Sequence, residues 1–551
     1  MAGIPLRVIP LGGLGEIGRN MMLLEYGDDI IAIDVGLMFP EEDMLGVDLV
    51  IPDFSYLREH SDKLRAVFLT HGHEDHVGAL PYFLREFSAP VYSTRLTDGL
   101  IRVKLKEHRL LDKAELNVVE PGEMIEAGIF DVEFFPVAHS IPDACGLIIR
   151  TPLGPVVHTG DFKLDHTPVM DQHTDLVRLG QIGAEGCLLL LADSTYAEVD
   201  GYTPSEQLVG ESLRNILANT EGRVIVATFA SLISRVQQIL DGAVATGRKV
   251  FVTGRSMIDN VAMARQLGYL EAPDGVIVGV EEMYATPNKD LVVITTGSQG
   301  EPTSALTRMA NGSHRHITID KGDTVVLSAN PIPGNETAVF RNVDNLFRLG
   351  ADVLYNRVSN IHVRGHASRE ELKIIQSILQ PEYFVPVHGE YRHLVVHARL
   401  AESVGVPEGQ AFVLTDGDVL EIDEDTAQLA GRVSADYVYI DGLGIGDVDA
   451  EILRDRAHLS TDGVVVVIVN VEKQTGKLTS APELLSRGFV DAEGHELLLE
   501  EGRDVVARAL QGADHITEIA DTNATIRDSL SKFLYDQTRR RPMVLAVTVE
   551  V

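Results

Sequence analysis

Residues 71–76, His-Gly-His-Glu-Asp-His, hold three imidazoles and the carboxylate of Asp75. They follow the apolar run 66–69, which predicts a strand. A strand that ends there would point the first two histidines one way and turn Asp75 and His76 toward a neighbouring position. Imidazole and carboxylate are ordinary ligands of zinc and manganese, whereas a merely solvated histidine-rich loop seldom carries an aspartate inside this spacing. The cluster therefore predicts a site for two adjacent divalent metal ions.

Composition indicates a globular protein and suggests its cellular compartment. A chain of 551 residues with 45% apolar and 23% charged residues predicts three or four globular domains. Cys145 and Cys187 lie far apart and outside the histidine cluster, so they predict neither a disulfide framework nor a thiolate metal site. The start lacks a signal-peptide core, and the longest apolar run, 463–469, is too short to cross a bilayer. We expect a cytoplasmic protein with no membrane partner.

The formal net charge of −35 argues against a nonspecific polyanion binder. It leaves room for a nucleic-acid enzyme, because two divalent ions and locally clustered arginines can create a cationic channel. Composition alone leaves the partner open.

A glycine pattern near the start has two readings. Gly13, Gly15 and Gly18 match the dinucleotide-binding spacing, which requires a long helix to follow. Instead, two apolar runs at 20–26 and 30–34 flank a Gly-Asp turn and predict a β-hairpin. The hairpin is the favoured interpretation.

Potential ligands recur where predicted strands end. His139 follows the apolar run 132–137, Asp161 follows 155–158, and Asp193 follows 187–192. Loops at strand ends present side chains whose positions the sheet fixes. These residues are therefore predicted to join the histidine cluster.

From about residue 203 the pattern changes to alternating strands and helices, which predicts a doubly wound α/β module with a parallel sheet. His362, His366 and His388 return after it, so the module is predicted to be an insertion after which the first domain resumes. The predicted parts are a first domain at 1–202, the insertion at 203–358, the resumed first domain at 359–430, a linker at 431–450 and a C-terminal α+β domain at 451–551.

Several motifs together resemble a known superfamily. The histidine cluster, the glycine pattern at 12–18 and Thr-Gly-Asp at 159–161 resemble the metallo-β-lactamase superfamily, which implies an αββα sandwich with a dinuclear metal site at one edge. The insertion with Asp193, Gly-His-Ala-Ser at 365–368 and Val-His-Gly-Glu at 387–390 resembles the β-CASP nucleases. The whole domain order is similar to that of the bacterial ribonuclease J family.

The resemblance implies a ligand for each metal position. The implied set is His71, His73 and His139 for one ion, Asp75, His76 and His388 for the other, and Asp161 bridging both. Two such ions lower the pKa of a bridging water and stabilise an in-line displacement at phosphorus. A core histidine at position 139 and a simple turn aspartate at 161 remain the alternatives, and zinc and manganese suit the site alike.

The resemblance also implies catalytic side chains. His366 would contact the scissile phosphate or protonate the departing 3′ oxygen, Asp193 would orient a histidine, and Asp75 would serve catalysis as well as metal binding. Asp34 is expected to orient the metal loop without binding an ion. Histidine rather than valine at position 388 accompanies RNA-processing members of the family. His158, His166 and His173 match no ligand position and are predicted to be structural or surface residues.

Substrate binding is predicted where the inserted module meets the site. Phe-Ala-Ser at 229–231 closes a strand and opens a helix, a geometry that binds anions. Ser231, together with Ser368 and the backbone at Ala367, would suit a 5′-monophosphate, the alternative being a helix N-cap at Ser231. His362, Arg364 and His366 complete the predicted substrate contacts, and Asn335 and Arg255 are weaker candidates.

These inferences favour a ribonuclease that degrades single-stranded RNA from a 5′-monophosphate end, with some internal cleavage. A small-molecule thioester or lactam hydrolase shares the histidine cluster but has no use for the insertion. A catalytically inactive RNA-binding scaffold would have lost ligands, and none is missing. The resemblance implies a homo-oligomer formed through the C-terminal domain, with a monomer as the alternative.

Overall fold

The computed structural model describes residues 3–170, 172–332, 335–356, 359–472, 477–490, 496–511 and 519–551. Contacts between residues divide the chain into two compact units. The larger unit comprises 1–39 and 49–438, and the smaller comprises 40–48 and 439–551. Among the described residues, no helix is both long enough and apolar enough to cross a membrane.

The part before the insertion is built mainly of strands. The strands are β1 (Leu6–Gly12), β2 (Leu14–Gly15), β3 (Met21–Tyr26), β4 (Asp29–Ile33), β5 (Leu49–Ile51), β6 (Leu64–Phe68), β7 (Val91–Ser93), β8 (Leu116–Val118), β9 (Met124–Ala127), β10 (Phe130–Pro136), β11 (Cys145–Thr151), β12 (Gly154–His158) and β13 (Leu189–Asp193). The α-helices are α1 (Ser55–Glu59), α2 (Glu74–Val77), α3 (Leu80–Glu86), α4 (Arg95–Glu107) and α5 (Leu176–Glu185). Antiparallel pairing of β3 with β4 confirms the predicted hairpin and leaves no long helix for a dinucleotide fold.

The inserted module alternates strand and helix as predicted. Its strands are β14 (Val224–Ala227), β15 (Lys249–Thr253), β16 (Leu291–Thr295), β17 (Thr324–Leu327) and β18 (Asp352–Leu354). Its α-helices are α6 (Gln207–Asn219), α7 (Ile233–Ala245), α8 (Arg255–Leu267), α9 (Val280–Ala285), α10 (Ala305–Ala310) and α11 (Glu336–Arg348). The strands run parallel in the order β15-β16-β14-β17-β18, and their short apolar runs are buried because helices cover the sheet.

After the module the chain returns to the first two sheets. The returning elements are α12 (Arg369–Leu379), β19 (Tyr383–Val387), β20 (Gly389–Glu390), α13 (Tyr391–Ser403), β21 (Asp418–Ile422) and β22 (Ala427–Arg432). In the described chain one sheet has the order β22-β21-β1-β3-β4-β6-β7-β8 and the other β19-β13-β12-β11-β10-β9. Alternate residues face opposite sides, so Val156 joins the core between the two sheets while Val157 packs toward the helices.

The smaller unit is an α+β domain. Its elements are β23 (Val438–Asp441), β24 (Gly444–Ile445), α14 (Ala450–Asp462), β25 (Val464–Val471), β26 (Glu483–Arg487), α15 (Glu496–Gln511), α16 (Ile519–Thr538) and β27 (Met543–Glu550). Alternate residues of β25 are buried, which fits a sheet with one face packed on helices. The predicted linker at 431–450 differs from the structure, because it contains the paired strands β23 and β24.

The predicted domain boundaries at 202, 430 and 450 stay predictions, and the boundary at 358 lies outside the described residues. The mixed α/β fold class with a small C-terminal α+β domain is confirmed.

Candidate metal centre

The candidate site forms where parallel strands end together. Strands β12, β13 and β19 are parallel neighbours, so their carboxyl ends meet at one edge of the sheet. Asp161 and His388 lie in the loops that follow β12 and β19, and Asp193 is the last residue of β13. The sheet thus brings together residues that are more than 200 positions apart.

The first ligand group, as we call it, consists of His71, His73, His139 and Asp161, whose donor atoms lie within 4.8 Å of one another. Nδ1 of His73 lies 3.0 Å from Nε2 of His71 and 3.3 Å from Nε2 of His139. Oδ2 of Asp161 lies 3.6 and 3.7 Å from those two Nε2 atoms. Three ring nitrogens that converge beside a carboxylate form a donor set suited to a divalent cation.

The second ligand group consists of Asp75, His76, His388 and the same Asp161. Helix α2 places Asp75 and His76 side by side, and His388 reaches Oδ2 of Asp75 with Nε2 at 3.2 Å. Nε2 of His76 lies 3.3 Å from Oδ2 of Asp161. The structure therefore brings all seven sequence-predicted metal ligands into two adjoining groups that share Asp161.

The two groups differ in protonation. Burial lowers the pKa of His71 and of His139 well below the ordinary value, and it lowers the pKa of His73 to about 4. Burial also disfavours charge on His76 and His388, but nearby carboxylates, Asp161 first, outweigh it. They raise the pKa of His76 well above its ordinary value and that of His388 to about 9. Neutral imidazole, the form that binds metal, thus dominates only in the first group near pH 7.

Asp34 is not in either ligand group and orients the segment 70–76, which carries four of the candidate ligands, as expected. Its carboxylate accepts hydrogen bonds from the backbone N–H of Thr70 at 2.8 Å and from Nδ1 of His76 at 2.8 Å. Asp34 is buried and adopts a φ of 60°, a conformation that is strained for a residue with a side chain. This carboxylate fixes the orientation of the His76 ring, so that Nε2 faces Asp161.

Beside the second group lies a further histidine–carboxylate pair. Nδ1 of His366 donates to Oδ2 of Asp193 at 2.8 Å. Burial would lower the pKa of His366, but the carboxylates of Asp193 and Asp161 raise it above its ordinary value. His366 is therefore equipped to hold a proton at the edge of the metal groups.

The predicted substrate residues occupy varied environments. Ser231 lies just before α7, but the N-cap residue is Leu232, so the simple N-cap reading of Ser231 does not hold. Arg364 stacks 4.7 Å over the ring of Tyr196. Asn335 precedes α11, and Arg255 begins α8 in an exposed position.

The motif at 365–368 is held rigidly. Ser368 and Ala367 are buried, and the Ser368 hydroxyl contacts that of Thr203 at 2.8 Å. The buried carboxylate of Glu371 accepts from the backbone N–H groups of Ser368 and Thr203. A structural role accounts for the Ser368 hydroxyl, which leaves its predicted substrate contact to the backbone.

His362 is half-buried and lies near three cations. Burial first, and then the charges of Arg235, Lys163 and Arg364, lower the pKa of His362 to about 3. Within the described chain its Nδ1 has no hydrogen-bond partner. Two of these cations are paired with carboxylates, Arg235 with Glu206 and Lys163 with Asp165.

The histidines set aside in the sequence lie outside both ligand groups. His158 is buried, and its Nδ1 accepts from the backbone N–H of Gly160 at 3.0 Å, which shapes the turn before Asp161. His166 is exposed, and His173 contacts the carbonyl of Asp165.

Sequence reasoning missed several supporting residues. The side-chain amide of Asn20 donates to the carbonyl of Asp75 at 3.0 Å and approaches Nε2 of His76 at 3.2 Å. Gly36 packs so closely on the same carbonyl that a Cβ atom would lie 1.7 Å from it. Thr70 and Thr195 each contact a ligand histidine. Only the proximity of the threonines to the histidine cluster and to Asp193 offered a signal.

Comparison with known families assigns a class to this fold and site. Four family models match successive parts of the chain: Metallo-beta-lactamase superfamily at 14–197, Ribonuclease J beta-CASP domain at 221–346, Zn-dependent metallo-hydrolase RNA specificity domain at 351–410 and Ribonuclease J C-terminal domain at 451–551. The protein is therefore a metallo-β-lactamase-fold nuclease with a β-CASP insertion.

Individual proteins that are similar to this chain show which family of these nucleases it belongs to. Ribonuclease J2 of Bacillus subtilis (strain 168) is 42% identical over 99% of both chains, and ribonuclease J of Thermus thermophilus is 43% identical over 99% of this chain and 95% of its own. A solved structure of a protein of unknown function from Enterococcus faecalis V583 matches with a TM-score of 0.55 at 17% identity, covering 76% of this chain and all of its own, which reports the fold alone. The chain belongs to the ribonuclease J family and is a metal-dependent ribonuclease that binds RNA.

Proposed function

We propose that the protein degrades single-stranded RNA in the 5′-to-3′ direction from a 5′-monophosphate end, with some internal cleavage, during RNA maturation and decay. The observation that carries this proposal is the convergence of two ligand groups on Asp161, with the His366–Asp193 pair beside them. Direction and end preference rest on the resemblance to β-CASP nucleases. Family membership argues against a small-molecule hydrolase, and the complete ligand set argues against an inactive scaffold.

The metal assignment follows from the two groups. His71, His73, His139 and Asp161 would hold one ion, and Asp75, His76, His388 and Asp161 the other. When bound, two divalent ions supply Lewis acidity and lower the pKa of water. Nitrogen and oxygen donors accept zinc and manganese alike, so either metal satisfies the site.

His366 is our candidate general acid. Asp193 accepts a hydrogen bond from Nδ1–H of His366, which leaves Nε2 to contact the scissile phosphate or to give a proton to the departing 3′ oxygen. The carboxylates of Asp193 and Asp161 raise the pKa of this imidazole above its ordinary value, which favours its protonated form. Asp75, which contacts His388, is assigned both to metal binding and to catalysis.

Arg364 offers a cation along the proposed RNA path. Its guanidinium lies over the ring of Tyr196, whereas Arg235 and Lys163, which are also near His362, are buried and paired with Glu206 and Asp165. Phosphates require accessible cations on a protein that is negatively charged overall. The proposed substrate contacts are Ser231, His362, Arg364, His366, Ala367 and Ser368. Ser231 lies just ahead of α7, and the N-terminus of a helix favours a terminal phosphate.

We also propose a homo-oligomer formed through residues 451–551. In support, the face of the C-terminal sheet that points away from its helices exposes Leu485, Leu545 and Val547, at 59%, 47% and 45%. Exposed apolar surface of this kind is common at protein interfaces. A cytoplasmic location is supported by two buried, unpaired cysteines.

The test uses one short 3′-labelled RNA that carries either a 5′-monophosphate or a 5′-hydroxyl, with Mn²⁺ present. Rapid, complete shortening of the monophosphate substrate, with slower action on the hydroxyl form, is the expected result. Equal internal cutting of both substrates would discard the end-binding site and keep the nuclease. Failure to cleave either RNA, despite two bound ions, would contradict the assignment and favour a scaffold.

A further inference from the structure

The hydroxyl of Thr195 lies between a buried carboxylate and a ring nitrogen of His388. Oγ1 of Thr195 is 2.7 Å from Oδ1 of Asp193 and 2.8 Å from Nδ1 of His388. The backbone N–H of Thr195 donates to the same carboxylate oxygen at 3.0 Å. These contacts fix the Thr195 side chain in one position between the Asp193 carboxylate and the His388 ring.

The directions of these hydrogen bonds decide the tautomer of His388. A hydroxyl donates one proton, and an ionised carboxylate is a stronger acceptor than a ring nitrogen. If Thr195 donates to Asp193, its oxygen accepts a hydrogen bond from Nδ1–H of His388. When His388 releases its other proton, the lone pair is therefore on Nε2, and this is the atom that faces Asp75 at 3.2 Å and Asp161 at 3.6 Å.

The same carboxylate also holds the neighbouring histidine. Oδ2 of Asp193 accepts from Nδ1 of His366, while Oδ1 receives Thr195. One aspartate thus orients His366 directly and His388 through the threonine hydroxyl. The arrangement links the candidate general acid to a ligand of the second group.

An equivalent arrangement supports the other side of the site. Asp34 accepts from His76 directly and contacts Oγ1 of Thr70 at 2.9 Å. Oγ1 of Thr70 is in turn 3.0 Å from Nδ1 of His71, whose Nε2 belongs to the first group. Two strand ends therefore carry the same carboxylate–hydroxyl–imidazole chain, each leading to a different ligand group.

Backbone geometry adds a reason for the Thr195 contact. His388 has a φ of 53°, which residues with a side chain rarely adopt. Its carbonyl accepts from the N–H of Ser194 at 3.2 Å and lies 3.3 Å from Oγ1 of Thr195. Thr195 thus contacts both the ring and the backbone of His388.

We propose that Thr195 is a positioning residue that fixes the His388 imidazole in its metal-binding tautomer and couples it to Asp193, and that Thr70 does the same for His71. The inference rests on the proposed metal assignment and adds residues to it. Partners of this kind alter metal affinity by about 10- to 100-fold when removed. Each threonine should therefore control the ligand group to which its histidine belongs.

The experiment titrates Mn²⁺ into the metal-free full-length protein by calorimetry, comparing wild type with Thr195→Val, which keeps the shape and removes the hydroxyl. We expect the affinity of one of two sites to fall at least tenfold, with the other unchanged, and Thr195→Ser to restore it. Thr97→Val serves as the matched control, because Thr97 is buried on α4 outside both groups. It should bind both ions as wild type does.

A double-mutant comparison separates positioning from general damage. In a His388→Gln background, Thr195→Val should cause no further loss of Mn²⁺ affinity, because its target is gone. Thr70→Val should retain its effect there. Wild-type affinity in Thr195→Val, or an undiminished effect beside His388→Gln, would overturn the inference. A wild-type protein that binds fewer than two ions and leaves RNA uncut would instead contradict the proposed function.

Discussion

The two ligand groups share Asp161 but differ in charge. In the first, three imidazoles surround one carboxylate, and burial keeps those imidazoles neutral. In the second, two imidazoles lie among several carboxylates, and these hold protons on His76 and His388. The first group can therefore accept a cation without releasing protons, whereas the second must release them.

Substitution of Asp161, which both ligand groups share, is expected to have the largest effect on RNA cleavage and metal content. Asp161→Asn removes the shared carboxylate oxygen charge from both groups, so RNA cleavage should fall by at least about 1,000-fold, with metal content near zero. Single-turnover cleavage and elemental analysis would measure the two quantities. His166→Gln, at an exposed histidine outside the groups, is the control and should match wild type. Two retained ions in Asp161→Asn would show that the groups do not depend on this residue.

One variant in each ligand group tests whether the two groups differ in the pH dependence of metal binding. His73→Ala and His388→Ala should each reduce bound metal from about two equivalents to about one. Metal bound by His73→Ala should also weaken as pH falls from 8 to 6, because protons compete at the remaining second group. Metal titration at both pH values checks this. Equal pH dependence in the two variants would remove the proposed asymmetry.

Substitution of His366 tests its role as the general acid beside the ligand groups. His366→Gln should keep two bound ions but lower kcat by about 100- to 10,000-fold, the usual contribution of a general acid. The loss should be smaller for an RNA analogue whose leaving oxygen needs no proton. Loss of metal in this variant would instead make His366 part of the metal site.

The smallest predicted effect concerns the stability of the metal-free protein. Histidines with a lowered pKa favour the folded state above about pH 6.5, and their contribution is lost as pH falls toward the value of about 4 for His73. His388 behaves oppositely, and its contribution is lost as pH rises toward about 9. Urea unfolding between pH 4 and 9 should show decreases at both ends. His73→Gln should reduce the acid decrease, and His388→Gln the alkaline one; unchanged profiles would contradict the assignment.

Much of this site could be predicted from local patterns. His139, Asp161 and Asp193 each follow an apolar run, and parallel strands place such loops at one sheet edge. The apolar character of those runs is a local property, and it indicates buried strands without knowledge of the rest of the chain. The alternation of strand and helix in the insertion could equally be predicted from the sequence.

The supporting contacts could not be predicted, because they depend on tertiary packing. Thr195 meets His388 across 193 positions, and Asn20 meets Asp75 across 55. Nothing in the local sequence indicates that Ser368 is buried against Thr203 or that Leu232, not Ser231, caps α7. The strands between 438 and 445 were missed because Asp and Gly there suggested a linker, whereas a short turn joins two paired strands.

The most direct test of the central claim is to add Mn²⁺ stepwise to the metal-free protein while measuring bound metal and cleavage of 5′-monophosphate RNA in the same samples. Two ligand groups that share Asp161 predict two bound equivalents per chain, with activity appearing mainly as the second is filled. Full activity at one equivalent, or saturation at one equivalent, would contradict the account.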